Sequence, residues 1–214
     1  MKVFKENFRY YFSVEGQTEE LYLKWLQKMI NIQNNEIQVE FICKVCSPMK
    51  YIKSINFKSD IVHICDYEGE NNSTQFYNTL NEMKKAQNAK NVTYKLGYSN
   101  ITFELWIILH KVDCFKELSN PKKYLESINQ AYSENFQSLD DYKKENNFKK
   151  HILEKLTLHD VCSAIRRAKF IANTNKANYY AENQYKGYKY YKQNPSLSIY
   201  SHIEKILKDC NLNR

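Results

Sequence analysis

One stretch of the chain decides the fold: Ile61-Val62-His63-Ile64-Cys65-Asp66-Tyr67-Glu68. Its first half is an unbroken apolar run, which is typical of a parallel strand covered by helices on both faces. Its second half is acidic, and a carboxylate such as Asp66 is costly to bury there unless something pairs with it. The sequence therefore predicts a buried strand whose carboxyl end carries acidic side chains with a chemical role.

A second strand with the same kind of ending lies upstream. Tyr10-Tyr11-Phe12-Ser13-Val14 is rich in aromatic and β-branched residues, and Glu15 follows it directly. Gly16 then permits a tight turn, and Thr18 is a plausible N-cap for a helix with apolar residues at helical spacing. That helix would carry Glu19 in its first turn, a place that the helix dipole alone would also favour for an acid.

Further elements alternate in the same way. An alternating stretch at 37–45 predicts a strand, Ser47-Pro48 starts a short helix, and 76–83 has the apolar spacing of an amphipathic helix. Val92-Thr93-Tyr94-Lys95-Leu96 predicts another strand, which we expect to end in a loop at 97–100. Strands alternating with helices predict a mostly parallel, doubly wound α/β sheet. Its strand ends would converge at one edge, where ligands bind.

The second half of the chain has a helical pattern and a basic charge. Residues 1–110 carry 13 Lys or Arg against 12 Asp or Glu, whereas residues 111–214 carry 19 against 12. We therefore predict a core at 1–111 and a helical, basic extension at 112–214 docked on it. Arg166, Arg167 and Lys169 lie on one predicted helix and are the candidate nucleic-acid-binding residues. The alternative is an overall composition rich in Lys, Asn and Tyr, with these cations on a solvated helix face.

Cysteine usage and hydropathy indicate the cellular compartment of the protein. Six cysteines form no disulfide framework, which suits a reducing compartment. Cys43-Lys44-Val45-Cys46 has the spacing of a zinc knuckle, but no second pair completes it, so strand cysteines are the preferred interpretation. No signal peptide or apolar run of transmembrane length is evident. We expect a soluble, cytoplasmic protein without a membrane partner.

Three motifs in order resemble the RloB-like family of Toprim-like proteins, which are related to OLD-family nucleases and associated with phage defence. They are Val14-Glu15-Gly16-Gln17-Thr18-Glu19, the stretch Ser99-Asn100-Ile101-Thr102-Phe103-Glu104-Leu105-Trp106 running on to His110, and Asn194-Pro195-Ser196. Two departures exist. The family usually has proline where this chain has Ile101, and Asp-x-Asp is commoner than Asp66-Tyr67-Glu68.

The resemblance implies a site for Mg²⁺ or Mn²⁺ made of five carboxylates. Its implied metal ligands are Glu15, Glu19, Asp66, Glu68 and Glu104, of which Glu15, Asp66 and Glu68 would also be catalytic. Two ions about 3.5–4 Å apart can stabilise the attacking and leaving oxygens of a phosphodiester. By this analogy the first three ligands would share one ion, and Glu68 and Glu104 would hold or orient the second. A salt bridge to a lysine is the alternative for Glu104.

The expected function is that of a metal-dependent nuclease that cleaves DNA or RNA in defence against phage or foreign nucleic acid. The alternative is a non-catalytic module that binds a nucleotide or a partner protein of a defence complex in the same pocket. A phosphotransferase is disfavoured because the chain has neither a Gly-rich phosphate loop nor a GKS or GKT triplet.

Overall fold

Four parallel strands form the central sheet of the computed structural model, which describes residues 6–116, 118 and 120–212. The strands are β1 (Glu6–Val14), β2 (Ile37–Val45), β3 (Ser59–Tyr67) and β4 (Val92–Asn100), in the spatial order β2-β1-β3-β4. The predicted mostly parallel α/β sheet flanked by helices is confirmed, and it is consistent with a Toprim-like fold.

Helices connect the strands and make up most of the second half of the chain. In chain order they are α1 (Gln17–Gln33), α2 (Pro48–Tyr51), α3 (Ser73–Ala89), α4 (Glu104–Leu109), α5 (Pro121–Tyr132), α6 (Leu139–Lys143), α7 (Glu145–Asn147), α8 (Leu158–Ala177) and α9 (Ile199–Asp209). Single helical turns lie at Ile52–Ser54, Glu70–Asn72, Phe148–Ile152 and Leu153–Lys155.

The two faces of the sheet belong to two hydrophobic clusters, because successive side chains of a strand point to opposite faces. Ile64 of β3 packs in the cluster that includes α1, α4, α8 and α9. Ile61, Cys65 and Tyr67 of the same strand pack in the cluster that includes α3. The prediction that β3 is covered on both faces is therefore confirmed.

The strand order places a topological switch point between β1 and β3. The chain leaves β1 through α1 to reach β2 on one side, whereas β3 continues through α3 to β4 on the other. Connections that diverge in this way open a crevice at the carboxyl ends of the two strands, which is where open α/β sheets bind ligands. Glu15 follows β1 at this crevice and Asp66 is the penultimate residue of β3.

Two local predictions were wrong. Gly16, with φ −128° and ψ 168°, is the N-cap of α1, and Thr18 is a buried residue inside the helix. The expected loop at 97–100 is strand, and β4 runs to Asn100. Its end is held by the C-terminal segment, since the Asn100 amide donates to the Ser196 carbonyl over 2.7 Å. A partner almost a hundred residues away cannot be read from local pattern.

The Tyr-Lys segment before α9 forms an antiparallel hairpin of β5 (Glu182–Tyr185) and β6 (Tyr188–Tyr191). Tyr188 and Tyr190 pack in the cluster on the α3 face. The other cluster likewise joins residues from both halves of the chain, such as Trp106 and Ile165. The predicted division at residue 111 stays a prediction, and its outer ends at 1–5 and 213–214 lie outside the described residues.

Candidate metal centre at the carboxyl ends of β1 and β3

Glu15 lies in the crevice between the ends of β1 and β3. Its Oε2 accepts a hydrogen bond from the Asp66 amide over 3.2 Å, and its Oε1 accepts one from the Thr79 hydroxyl of α3 over 3.3 Å. Burial raises the pKa of the Glu15 carboxyl, the two hydrogen bonds oppose that shift, and the charge of Glu68 adds to it. Glu15 is therefore fixed in place and holds a proton more readily than an exposed glutamate.

Three further carboxylates lie on the other side of β3, close enough for their charges to interact. Glu19 comes from the first turn of α1, Asp66 from the end of β3, and Glu104 from the first turn of α4. Glu19 and Glu104 are both buried, with exposed fractions of 6% and 0%. Their charges act on Asp66, whose pKa lies well above its usual value because of burial first and of Glu19, Glu104 and Glu15 next. We call Glu19, Asp66 and Glu104 the carboxylate cluster.

Lys143, the last residue of α6, faces the carboxylate cluster. Its Nζ lies 3.3 Å from Oε1 of Glu104, and its side chain is partly exposed. Burial lowers the pKa of Lys143, but the charges of Glu104, Asp66 and Glu19 outweigh that effect and the pKa is raised. The Thr102 hydroxyl donates to the other oxygen of Glu104. The salt bridge to a lysine that was the alternative for Glu104 thus exists, and it lies inside the cluster.

Burial and mutual repulsion favour the protonated forms of Glu19 and Asp66. Burial raises the pKa of Glu19 to about 7, and the charge of Glu104 supports that shift. Its own backbone amide and Lys143 oppose it. Oδ1 of Asp66 is screened from solvent and has no hydrogen-bond partner among the described residues. A buried acceptor of this kind costs free energy unless a cation or proton meets it.

Gly16 makes room for the Glu19 carboxylate. A Cβ built on Gly16 would lie 2.7 Å from Oε2 of Glu19, well inside van der Waals contact. The backbone of Gly16 is extended, so any residue could adopt it, and the requirement for glycine comes from this close approach. Glycine at position 16 therefore leaves space for one predicted ligand, Glu19, directly after another, Glu15.

Glu68 is separated from the carboxylate cluster and lies on a cavity. It is exposed, and it lines an open cavity of about 710 Å³ together with Glu15 and His63. Amide and hydroxyl side chains of the segment that leads into α3 and of α3 itself form most of one wall, namely Asn72, Thr74, Gln75, Asn78 and Thr79. The structure thus divides the five predicted ligands into the carboxylate cluster and a cavity pair, with Glu104 in the cluster and Glu68 in the pair.

The sequence interpretation did not identify Lys143, Thr79 or His63 as part of this region. Helix α5 and irregular chain separate the helix of Glu104 from the helix of Lys143, so no local spacing connects the two residues. Thr79 lies on the face of α3 that turns toward the strand end. Only His63 carried a signal, because a polar residue inside an apolar strand needs a partner.

The three predicted nucleic-acid-binding residues lie on α8 and make contacts within the protein. Arg167 binds Asp113 over 2.6 Å and donates to the Leu109 carbonyl at the end of α4, while Lys169 binds Glu204 over 2.7 Å. Arg166 donates to Ser163 of its own helix. Their role in nucleic-acid binding stays a prediction.

Within the described part of the chain, no helix combines the length and apolar character needed to cross a membrane.

The chain matches a known protein family. The family model described as RloB-like protein matches residues 10–206, which span β1 to α9 and include every predicted site residue. No curated protein and no solved structure matches the chain.

Proposed function

The chain belongs to the RloB-like family, and we propose that it is a metal-dependent nuclease that uses Mg²⁺ or Mn²⁺ to cleave phosphodiester bonds. The observation that carries the proposal is the carboxylate cluster. Glu19, Asp66 and Glu104 come from three different elements near a topological switch point, and burial and mutual repulsion raise the pKa of Asp66. Perturbed acidic groups in a crevice are typical of functional sites.

The donor set fits a hard divalent cation. All three members offer carboxylate oxygens, which Mg²⁺ and Mn²⁺ prefer. Oδ1 of Asp66 lacks a hydrogen-bond partner among the described residues, so it is free to bind a cation. Lys143 offsets one of the three negative charges, and a divalent cation would offset the other two. Glu19, Asp66 and Glu104 are therefore the residues that would hold it.

When bound, such a cation supplies Lewis acidity that polarises a phosphoryl oxygen and lowers the pKa of a bound water. The residues around the cation would transfer the proton and contact the phosphate. Glu15, with a raised pKa and a place on the cavity, is suited to take a proton from an attacking water. Lys143 has a partly exposed ammonium group beside the cluster and would contact a phosphate oxygen.

The charge of the cavity supports the need for metal. Glu15, Glu68 and Glu82 line it, and a polyanion would be repelled from three carboxylates unless cations intervened. The basic excess of the second half, 19 Lys or Arg against 12 Asp or Glu, would attract the same polyanion. A role in phage defence is proposed from the family resemblance alone.

A second candidate function rests on the cavity itself. Its volume of about 710 Å³ lies in the range of pockets for small ligands, and its amide and hydroxyl groups are of the kind that bind a base or a sugar. A non-catalytic module that binds a nucleotide, or a partner protein of a defence complex, would use this cavity without cleaving a polynucleotide.

A cleavage assay decides between the two. Labelled DNA and RNA oligonucleotides are incubated with the parent protein in Mg²⁺, in Mn²⁺ and in EDTA, beside Asp66→Asn and the control Asp60→Asn. Asp60 lies at the amino end of the same strand, where it pairs with Lys95 over 2.6 Å, so it matches the charge change away from the site. We expect cleavage by the parent and the control in metal only. Equal cleavage by Asp66→Asn would contradict the assignment, and tight nucleotide binding without any cleavage would favour the second function.

A further inference from the structure

Three potential metal ligands of different chemistry lie together on the α3 side of β3. The carboxylate of Glu15, the imidazole of His63 and the thiol of Cys65 have ligand atoms within 4.8 Å of one another. His63 and Cys65 are two residues apart on one strand and so share a face. Asp66 is next in sequence and points to the opposite face, toward the carboxylate cluster.

His63 is oriented by Ser13 of the neighbouring strand β1. The Ser13 hydroxyl and Nδ1 of His63 share a hydrogen bond of 2.7 Å. In the tautomer whose Nδ1 donates to Ser13, the lone pair of Nε2 is left for a ligand. A metal-binding histidine is usually oriented through its other nitrogen in this way.

Nε2 of His63 is a buried atom without a hydrogen-bond partner among the described residues. His63 is 1% exposed, and burial lowers its pKa to about 3, so the imidazole is neutral and able to bind a cation. A buried polar atom without a partner is costly to keep. A cation between Nε2, the Glu15 carboxylate and Sγ of Cys65 would satisfy it.

We propose that Glu15, His63 and Cys65 form a separate site for a borderline divalent cation such as Zn²⁺. A nitrogen, a sulfur and an oxygen donor select such a cation over Mg²⁺. Because His63 and Glu15 also line the cavity, a fourth position is open to water or a ligand, as in catalytic rather than structural zinc sites. On binding, the Cys65 thiol gives its proton to solvent and the thiolate joins the metal. Glu15 would also be the base of the proposed nuclease reaction, so it could not fill both roles at once, but Zn²⁺ binding is tested without any cleavage.

Cobalt tests the site, because a cobalt–thiolate bond gives a near-ultraviolet charge-transfer band and tetrahedral Co²⁺ absorbs in the visible. The full-length protein, stripped with EDTA, is titrated with Co²⁺ and then with Zn²⁺ in competition. We expect the band in the parent and its displacement by Zn²⁺. Cys65→Ser should remove the band, and His63→Gln should lower Zn²⁺ affinity at least about tenfold. The control Cys114→Ser changes a buried cysteine elsewhere and should keep the band.

Two more variants separate this site from its surroundings. Ser13→Ala leaves all three ligands in place but frees the His63 ring, and it should weaken Zn²⁺ binding by about 10–100-fold. Asp66→Asn should keep the cobalt band, since Asp66 contributes only its backbone amide to Glu15. A parent without a cobalt–thiolate band, or a band that survives Cys65→Ser in a protein with parental melting temperature, overturns the proposal. Loss of nuclease activity with the band intact contradicts the proposed function alone.

Discussion

The backbone amide of Asp66 donates to the carboxylate of Glu15 across the ends of β3 and β1, with 3.2 Å between N and Oε2. This bond fixes Glu15 on one side of β3 while the Asp66 side chain points to the other. One strand end therefore presents acidic chemistry to both faces of the sheet. Because of this division, the carboxylate cluster and the cavity pair can be tested separately.

Asp66→Asn should make the metal-free protein more stable and abolish its stabilisation by Mn²⁺. The amide keeps the volume of the side chain but removes a charge that is buried among Glu19, Glu104 and Glu15. A ligand that binds only the folded state stabilises it by about 2.7 kcal/mol at a hundred times its Kd. Calorimetry with and without Mn²⁺ measures both effects.

The control for this prediction is Asp60→Asn, which should respond to Mn²⁺ as the parent does. If Mn²⁺ raises the melting temperature of Asp66→Asn as much as that of the parent, the cation binds elsewhere.

The stability of the metal-free protein should fall as pH rises from about 4.5 to about 7 because of Glu19. The folded state keeps the Glu19 proton up to pH about 7, whereas the unfolded chain releases it near 4.5. The folded state therefore binds more protons in this window, and the contribution is complete below it and lost above it. Glu19→Gln should reduce the slope in melting experiments across this range, while the exposed-residue control Glu36→Gln should keep it. An unchanged slope in Glu19→Gln would assign the titration to another group.

Gly16→Ala should weaken metal binding while changing the fold little. The added Cβ would lie 2.7 Å from Oε2 of Glu19, and the extended backbone of Gly16 accepts alanine without strain. The carboxylate must move, so we expect Mn²⁺ affinity to fall by calorimetric titration.

A double-mutant cycle gives the control for Gly16. In a Glu19→Ala background there is no carboxylate to displace, and Gly16→Ala should then have no further effect on affinity. Equal losses in both backgrounds would mean that Gly16 acts through the turn and not through Glu19.

The sequence was sufficient to predict the sheet because its signals are local. Apolar runs and helical spacing identify β1, β3, α1 and α3, and parallel topology then brings Glu15 and Asp66 to one edge. Lys143 was not predictable, since its approach to Glu104 depends on how α6 packs. His63 was not predicted as a site residue, although a single polar residue in an apolar run is a local signal.

Lys143→Met should tighten metal binding and slow cleavage. The ammonium group lies 3.3 Å from Oε1 of Glu104 and competes with a cation for the carboxylate cluster. Its removal leaves three buried carboxylates without that partner, so the metal-free protein should also be less stable. Mn²⁺ titration and single-turnover cleavage of an oligonucleotide separate the two effects. Lys144→Met, which removes an exposed neighbour paired with Asp141, is the matched control. Weaker Mn²⁺ binding in Lys143→Met would show that the lysine supports the site instead of competing for it.

The basic residues of α8 are the candidate nucleic-acid surface. Replacing Arg166, Arg167 and Lys169 with alanine should reduce the salt dependence of oligonucleotide binding, because log K falls with log salt by about 0.7–0.9 for each phosphate neutralised. Metal binding should be kept, since Arg167 contacts the end of α4 opposite to Glu104. The triple variant also loses ion pairs to Asp113 and Glu204, so its melting temperature is measured first.

A control with the same loss of charge replaces three exposed lysines of the first half, Lys28, Lys84 and Lys85. A smaller salt slope in the α8 variant than in this control would locate the nucleic-acid surface on α8. Equal slopes in the two variants would mean that only the net charge of the protein matters, and the α8 residues would then be assigned to their intramolecular contacts.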